Sequence, residues 1–273
     1  MIIEKAVNKA KKTGSNLDYF LKSEITKEAP ENKIISETQH SVTSRVVEID
    51  EEYIASQGCL SKISDFKVIE SYKILRTRLD QSMLEKNSRS LMITSAFDTE
   101  GKTLTAINLA FSFSKHYHQT VLLVDCDLRK QNIYKYLGYS SVLNLVDYLV
   151  DDVPLSDVMI RLKNKNITII SGERTVEYGA ELLSSSQMIN LFNQFKNRYN
   201  DRIIIFDLPP VLLLADAIAS SSWIDSILFV VQFGKTSFKD IKKSIDRLPR
   251  NKFLGFVINR SQTADNGYDK YYI

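Results

Sequence analysis

Short runs of consecutive apolar residues alternate along the chain with longer segments of helical periodicity. Such runs are typical of strands buried on both faces, and apolar residues three or four positions apart are typical of the helices that cover them. The predicted strands are Leu91–Ile93, Thr120–Val124, Ile167–Ile170, Arg202–Phe206, Ser226–Val231 and Phe253–Ile258. The predicted helices are Ser64–Met83, Leu143–Leu149, Leu155–Leu162, Glu181–Tyr199 and Phe238–Ile245. This order predicts an α/β fold with a mostly parallel sheet and helices on both faces.

The two ends of the chain do not follow this alternation. Residues 3–12 fit a short amphipathic helix, and residues 13–61 are polar, mixed in charge and without sustained periodicity. We therefore expect a helical or loosely ordered N-terminal extension over residues 1–63 and a folded domain over residues 64–260. Residues 261–273 are expected to form a flexible tail, polar apart from its tyrosines.

The segment SLMITSAFDTEGKTLTAINLA, residues 90–110, indicates a P-loop. Its strand–turn–helix pattern contains the Walker A spacing, with Ala96 in the first position and Gly101-Lys102-Thr103 at the end. In such a loop, backbone N–H groups face phosphate oxygens, the lysine reaches the β- and γ-phosphates, and the hydroxyl binds Mg²⁺. The sequence therefore predicts a P-loop NTPase-like nucleotide site made by Ala96, Phe97, Asp98, Thr99, Glu100, Gly101, Lys102, Thr103 and Leu104.

Aspartates follow two further apolar strands. Asp125 and Asp127 come after the strand that begins at Thr120, and Asp207 ends the strand that begins at Arg202. Ligands of open α/β sheets bind outside the carboxyl ends of the strands. These positions supply oxygen ligands for Mg²⁺ and a group that can orient or deprotonate an acceptor.

Composition narrows the function classes. The formal net charge of +3, without a Lys/Arg block, gives no argument for nucleic-acid binding. The two cysteines, Cys59 and Cys126, imply no disulfide framework, which suits a reducing compartment. The first residues do not fit a signal peptide, and the apolar runs have the length of strands. We expect a cytoplasmic protein, and any association with the inner face of the membrane would come through a partner.

The segments VLLVDCDLR and IIIFDLPPV, together with the P-loop, resemble the three Walker-type motifs of the bacterial tyrosine kinases linked to polysaccharide export. The resemblance covers roughly residues 64–273, and the head, IEKAVNKAKK, is similar to the exosortase-associated subgroup. It implies an autokinase that uses ATP and Mg²⁺ and regulates exopolysaccharide or capsule biosynthesis and export. It also implies a membrane-embedded activator of the polysaccharide co-polymerase or chain-length type.

The resemblance assigns roles position by position. Asp125 matches the residue that takes the proton of the acceptor tyrosine, whose hydroxyl has a pKa near 10. Arg129 closes the second motif and matches a group that positions phosphate or a neighbouring subunit, and Asn259 matches an adenine contact. The implied catalytic residues are Lys102, Asp125, Asp127 and Arg129, and the implied Mg²⁺ ligands are Thr103, Asp127 and Asp207.

Two more features match elements that this family uses between subunits. The spacing of three places a charged set on one face of the first long helix, where a solvated face is the ordinary expectation. In the family, this helix binds the next subunit of a ring through E-x-x-R-x-x-R; the set here is Glu70, Lys73 and Arg76. Lys73 keeps the charge of the first arginine and loses its bidentate fork. The acceptor tyrosines implied in the tail are Tyr268, Tyr271 and Tyr272.

Asp98-Thr99 stands where the family often has Pro-Gly. Threonine restricts the backbone if φ must be positive there, and the Asp98 carboxylate repels phosphates unless it points away. This departure favours an alternative, a catalytically weak scaffold of the same fold. A second alternative is a partition- or positioning-type P-loop ATPase switch, which carries a signature lysine where this chain has Phe97. A tyrosine autokinase remains the leading hypothesis.

Overall fold

One eight-stranded sheet organises the part of the chain that the structure, a computed structural model, describes: residues 45–61, 64–115, 119–141, 143–198 and 202–261. In chain order its strands are β1 (Arg45–Val47), β2 (Ser90–Ser95), β3 (Thr120–Asp125), β4 (Ile160–Leu162), β5 (Ile167–Ile170), β6 (Arg202–Asp207), β7 (Ser226–Gln232) and β8 (Phe253–Asn259). Their order across the sheet is β1-β4-β5-β3-β6-β2-β7-β8. All neighbours are parallel except β4 and β5, which are antiparallel.

Helices cover both faces of this sheet. In chain order they are α1 (Glu51–Ser56), α2 (Phe66–Glu85), α3 (Lys102–Ser114), α4 (Ile133–Leu137), α5 (Leu145–Asp151), α6 (Leu155–Val158), α7 (Gly179–Leu183), α8 (Ser186–Arg198), α9 (Asp216–Ser220) and α10 (Phe238–Ile245). Successive strand residues face opposite sides. Leu91 therefore joins a core that includes Leu79 of α2 and Phe113 of α3. Met92 joins a second core with Leu191 of α8. The predicted fold class is confirmed.

Two predicted elements differ from the structure. The helix expected over Leu155–Leu162 ends at Val158, and Ile160–Leu162 is strand β4. The helix expected over Glu181–Tyr199 is two helices, α7 and α8. Both predictions were wrong because the apolar residues continue across the break while the backbone changes direction.

The folded part of the chain begins before Ser64, the predicted start of the domain. Strand β1 pairs with β4 at the edge of the sheet, and Ile54 of α1 is fully buried. Both elements lie in the range that the sequence assigned to the extension. The helix expected at residues 3–12 and the tail tyrosines lie outside the described residues.

The strand order brings the predicted motifs to one place. Strands β3, β6 and β2 are neighbours at the centre of the sheet. Asp125 lies directly opposite Asp207 in the pairing of β3 with β6, and the loop after β2 continues from the same edge. The carboxyl ends of three parallel strands therefore hold the P-loop and both acidic motifs side by side.

Candidate active site

The loop between β2 and α3 turns sharply on two residues with positive φ. Gly101 has φ 97° and Thr99 has φ 67°. Helix α3 starts directly after Gly101, and its first hydrogen bond runs from the Thr105 N–H to the Gly101 carbonyl (2.9 Å). The preceding N–H groups of the first turn have no partner within the helix, as a phosphate-binding loop requires.

Glu100 holds this loop in shape from inside the protein. Its side chain is only 1% exposed. One carboxylate oxygen accepts the Phe97 N–H (2.9 Å), and the other accepts the Thr236 hydroxyl from the loop after β7. Its backbone carbonyl accepts Asn259 Nδ2 at 2.9 Å. A Cβ on Gly101 would lie 2.0 Å from Asn259 Nδ2, so this position has no room for a side chain.

Asp98 and Thr99 are the exposed part of the loop. Thr99 has the positive φ that a glycine would adopt without strain, whereas a β-branched residue in that region is a conformational outlier. The Asp98 side chain is open to solvent, which weakens its repulsion of phosphate. The main effect of the departure from Pro-Gly is therefore backbone strain at Thr99, and the repulsion between Asp98 and phosphate is the smaller effect.

Lys102 lies at the centre of three buried carboxylates. Its Nζ is 2.9 Å from Asp127 Oδ2, and both side chains are buried. Burial alone lowers the pKa of the Lys102 amine, but the charges of Asp207, Asp127 and Asp125 outweigh it. The pKa is therefore raised and the lysine stays protonated. The amine is the cation that balances this acidic cluster.

Asp125 is fully buried and uses only one of its oxygens for hydrogen bonds. Oδ2 accepts the N–H groups of Asn132 (3.0 Å) and Ile133 (3.1 Å) and the hydroxyl of Ser171 (2.8 Å). Oδ1 accepts none from the described residues. Burial and the charge of Asp207 raise the pKa of Asp125 from 3.8 to about 7, although the bonds from Ile133 and Ser171 lower it. The geometry leaves one fixed, unused oxygen.

Asp207 completes the cluster from β6. Burial raises its pKa from 3.8 to about 6, while the Lys102 charge and a hydrogen bond with the Thr103 side chain limit the rise. Its Oδ1 is buried and accepts no hydrogen bond from the described part of the chain.

The carboxylate and hydroxyl oxygens of this cluster fit a magnesium ion. Mg²⁺ prefers oxygen ligands and takes one or two carboxylates together with substrate phosphates. Within the described residues no three His, Cys, Asp or Glu side chains are grouped to hold a metal by themselves. Thr103, Asp127 and Asp207 therefore fit an ion that phosphate oxygens help to hold.

The other predicted site residues lie around this centre or away from it. Arg129 is partly exposed, with Nε 3.8 Å from Asp216 Oδ2. Leu104 is partly buried and packs on the core. Ala96 is fully buried. Asn259 lies against the P-loop itself, at the carbonyl of Glu100.

The charged set on α2 is directed partly towards its own subunit. Lys73 forms an ion pair with Glu70 one turn earlier, and Lys73 is exposed. Arg76 Nη1 donates to the Ser112 carbonyl of α3 (3.1 Å). Two members of the set thus satisfy each other, and the third binds the end of the P-loop helix.

Sequence reasoning missed two residues of the site. Ser171 follows β5 and donates directly to Asp125, and Thr236 holds Glu100. A serine after an apolar strand was a usable signal for Ser171, because β5 ends at the same edge as β3. For Thr236 the sequence carries no comparable signal.

Comparison with known proteins identifies the family of this chain. The AAA_31 family, described as an AAA domain, matches residues 98–252. Tyrosine-protein kinase YwqD of Bacillus subtilis is 30% identical over 74% of this chain and 85% of its own length. The chain spans about 28% of the length of other curated relatives that it matches.

Solved structures give the same assignment. The kinase domain of Escherichia coli tyrosine kinase ETK superposes with a TM-score of 0.64 at 29% identity, over 73% of this chain and 80% of that one. The septum site-determining protein MinD of Pyrococcus horikoshii, complexed with Mg-ADP, has a TM-score of 0.52 at 24% identity, over 64% of this chain and 72% of that one, and shares the fold alone. The chain belongs to the bacterial tyrosine-protein kinase family.

Proposed function

We propose that this chain is an ATP-dependent protein-tyrosine autokinase that phosphorylates tyrosines in the C-terminal tail of a neighbouring subunit. The observation that carries the proposal is the Lys102 amine, paired with Asp127 inside a buried cluster of three carboxylates at the P-loop. Positive charge next to a phosphate-binding loop and a fixed carboxylate are the parts that phosphoryl transfer to a hydroxyl needs. The names of the relatives, tyrosine-protein kinases, support this choice of acceptor.

Lys102 exchanges one binding partner for another in this mechanism. Without nucleotide its amine pairs with Asp127. With ATP in the loop, the β- and γ-phosphates compete for the same amine, and Lys102 moves from the carboxylate to the phosphates. Asp127 is then released towards the metal site that it forms with Thr103 and Asp207. Mg²⁺, when bound there, neutralises charge that develops on the phosphate oxygens.

Asp125 receives the proton of the acceptor. A tyrosine hydroxyl keeps its proton at neutral pH and is a weak nucleophile, so a positioned base speeds its attack. The three bonds to Asp125 Oδ2 fix the carboxylate and leave Oδ1 to take that proton. The tyrosine oxygen gains the phosphoryl group, ADP leaves, and Asp125 holds the proton until it passes to solvent.

The family supplies the setting of this proposal. We assign Tyr268, Tyr271 and Tyr272 as acceptors and a ring of subunits as the assembly. A cytoplasmic location, a membrane-embedded activator and a role in exopolysaccharide or capsule export belong to the same proposal. No helix among the described residues is long and apolar enough to cross a bilayer.

The two alternatives make different predictions. A switch ATPase hydrolyses ATP without labelling tyrosine; Phe97 at the position of the signature lysine counts against it. A scaffold binds nucleotide without turnover, and the strained Thr99 is the feature that favours it. Neither alternative transfers phosphate to tyrosine, so an assay for phosphotyrosine separates both from the kinase.

The experiment incubates the purified full chain with Mg²⁺ and ATP and maps phosphotyrosine by mass spectrometry. We expect phosphate on the tail of the wild type and none on Lys102→Met. Lys115→Met is the matched control, because Lys115 is exposed at the far end of α3 and its loss should leave the signal intact. ATP binding or hydrolysis without any phosphotyrosine, both alone and after addition of the cytoplasmic segment of the membrane activator, would overturn the kinase assignment.

A further inference from the structure

A fourth buried carboxylate lies beside the cluster and has no role in the mechanism above. Asp216, the first residue of α9, is completely buried. Neither of its oxygens accepts a hydrogen bond from another residue that the structure describes. A buried carboxylate without hydrogen bonds costs folding energy, and such groups in native proteins call for a functional explanation.

The partner of this carboxylate is the arginine of the second motif. Arg129 Nε lies 3.8 Å from Asp216 Oδ2, and the arginine side chain is 36% exposed. Two residues earlier, Asp127 is bound to Lys102. Asp216 therefore holds one side of a guanidinium that remains partly exposed, on the loop that directly follows Asp127 of the buried cluster.

The chain makes room for Asp216 by having no side chain at Gly179. A Cβ on Gly179 would lie 2.3 Å from Asp216 Oδ2 and 3.6 Å from Leu128 Cβ. Gly179 opens α7, which packs on α9, and the segment before it donates the Val176 N–H to the Leu128 carbonyl (2.9 Å). The loop that carries Arg129, the start of α7 and the start of α9 thus meet around this one carboxylate.

We propose that Asp216 is a positioning residue that holds the Arg129 guanidinium at the edge of the active site, where it meets the phosphoryl group being transferred. An arginine held by one carboxylate loses less conformational freedom when it binds phosphate than a free one does. This inference rests on the proposed function, because it gives Arg129 a part in the phosphoryl transfer proposed there.

The first test follows the guanidinium itself. In the full chain labelled with ¹⁵N-arginine, the Arg129 Nε–H resonance is identified by its loss in Arg129→Gln. We expect Asp216→Asn and Gly179→Ala to shift this resonance and to increase the mobility of the Arg129 guanidinium. Asp225→Asn, which breaks an ion pair with Lys196 elsewhere, should leave it unchanged. An unchanged resonance in both Asp216→Asn and Gly179→Ala overturns the proposal.

The second test measures tail phosphorylation. We expect Asp216→Asn to lower kcat roughly tenfold to a hundredfold, with the KM for ATP nearly unchanged. In the Arg129→Gln background the same substitution should have no further effect. An equal loss in both backgrounds would show that Asp216 acts on the structure generally, and would contradict positioning. If the wild type transfers no phosphate, the proposed function fails, and the Arg129 resonance alone decides this inference.

Discussion

Replacing Asp125 by asparagine should remove activity and stabilise the nucleotide-free protein. The folded state keeps the Asp125 carboxyl buried beside Asp207, and the pKa rises from 3.8 to about 7. Between these values the folded protein binds a proton that the unfolded chain does not. This contribution to stability is therefore full below pH 3.8, falls progressively above it, and is lost as the pH rises through about 7.

The magnitude follows from the same pKa values. One pKa unit corresponds to about 1.4 kcal/mol, so the ionised carboxylate costs the folded state about 4 kcal/mol at pH 8. Asparagine carries no charge, and its carbonyl can still accept two of the three bonds to Asp125. Loss of the charge-assisted hydrogen bond destabilises the folded state by about 1.5–3 kcal/mol and offsets part of the gain from removing the charge. We expect a net stabilisation of about 1–2.5 kcal/mol at pH 8, which is a rise in Tm of about 2–10 °C.

Thermal unfolding without nucleotide or Mg²⁺, at pH 5.5 and at pH 8, measures this effect. At pH 5.5 the carboxyl is neutral in the folded state but ionised in the unfolded chain, so the wild type already loses about 2 kcal/mol. The lost bond offsets this amount, so the asparagine should bring almost no net gain at that pH. The control is Asp225→Asn: although burial opposes it, the Lys196 hydrogen bond holds the pKa of Asp225 below its ordinary value. That variant should be destabilised equally at both pH values. An equal destabilisation of Asp125→Asn at both pH values would refute the reasoning.

Three further substitutions test the P-loop and α2. Thr99→Gly should relieve the strain of a positive φ and raise stability by about 1 kcal/mol, so an unchanged or lower Tm would contradict a strained loop. Asn259→Ala removes the bond to the Glu100 carbonyl and should weaken ATP binding several-fold in a fluorescence titration; unaltered affinity would show that the bond does not shape the loop. In urea unfolding, Lys73→Ala should lower the free energy of unfolding by no more than about 0.5 kcal/mol, because its ion pair is exposed. Arg76→Ala should lower it by about 1 kcal/mol or more, because Arg76 donates to α3. The reverse order would contradict these assignments.

Most of the fold was predictable because its signals are local. Central strands such as β2 and β6 are continuous apolar runs, and the P-loop has a fixed spacing. The edge strand β1 has three residues and exists through its pairing with β4, which no local pattern shows. The break between α7 and α8 depends on Ser185, whose hydroxyl accepts the Met188 N–H (3.1 Å) and starts a new helix.

The candidate site was predictable in its residues and not in its connections. The aspartates stood out because they follow buried strands. Three contacts of the site join segments that are far apart in sequence. They are the ion pair of Lys102 with Asp127, the hydrogen bond from Ser171 to Asp125 and the hydrogen bond from Thr236 to Glu100. Such contacts depend on the order of strands in the sheet, which the sequence patterns left open.

A mixing experiment tests the central claim most directly. One subunit carries Lys102→Met with its tail intact, and the other carries an intact active site with Tyr268→Phe, Tyr271→Phe and Tyr272→Phe. Neither variant alone should form tail phosphotyrosine with Mg²⁺ and ATP. Together, they should place phosphate on the tail of the Lys102→Met chain, because the active site acts on a neighbouring subunit. A phosphorylated wild type with no phosphate in the mixture would contradict transfer between subunits.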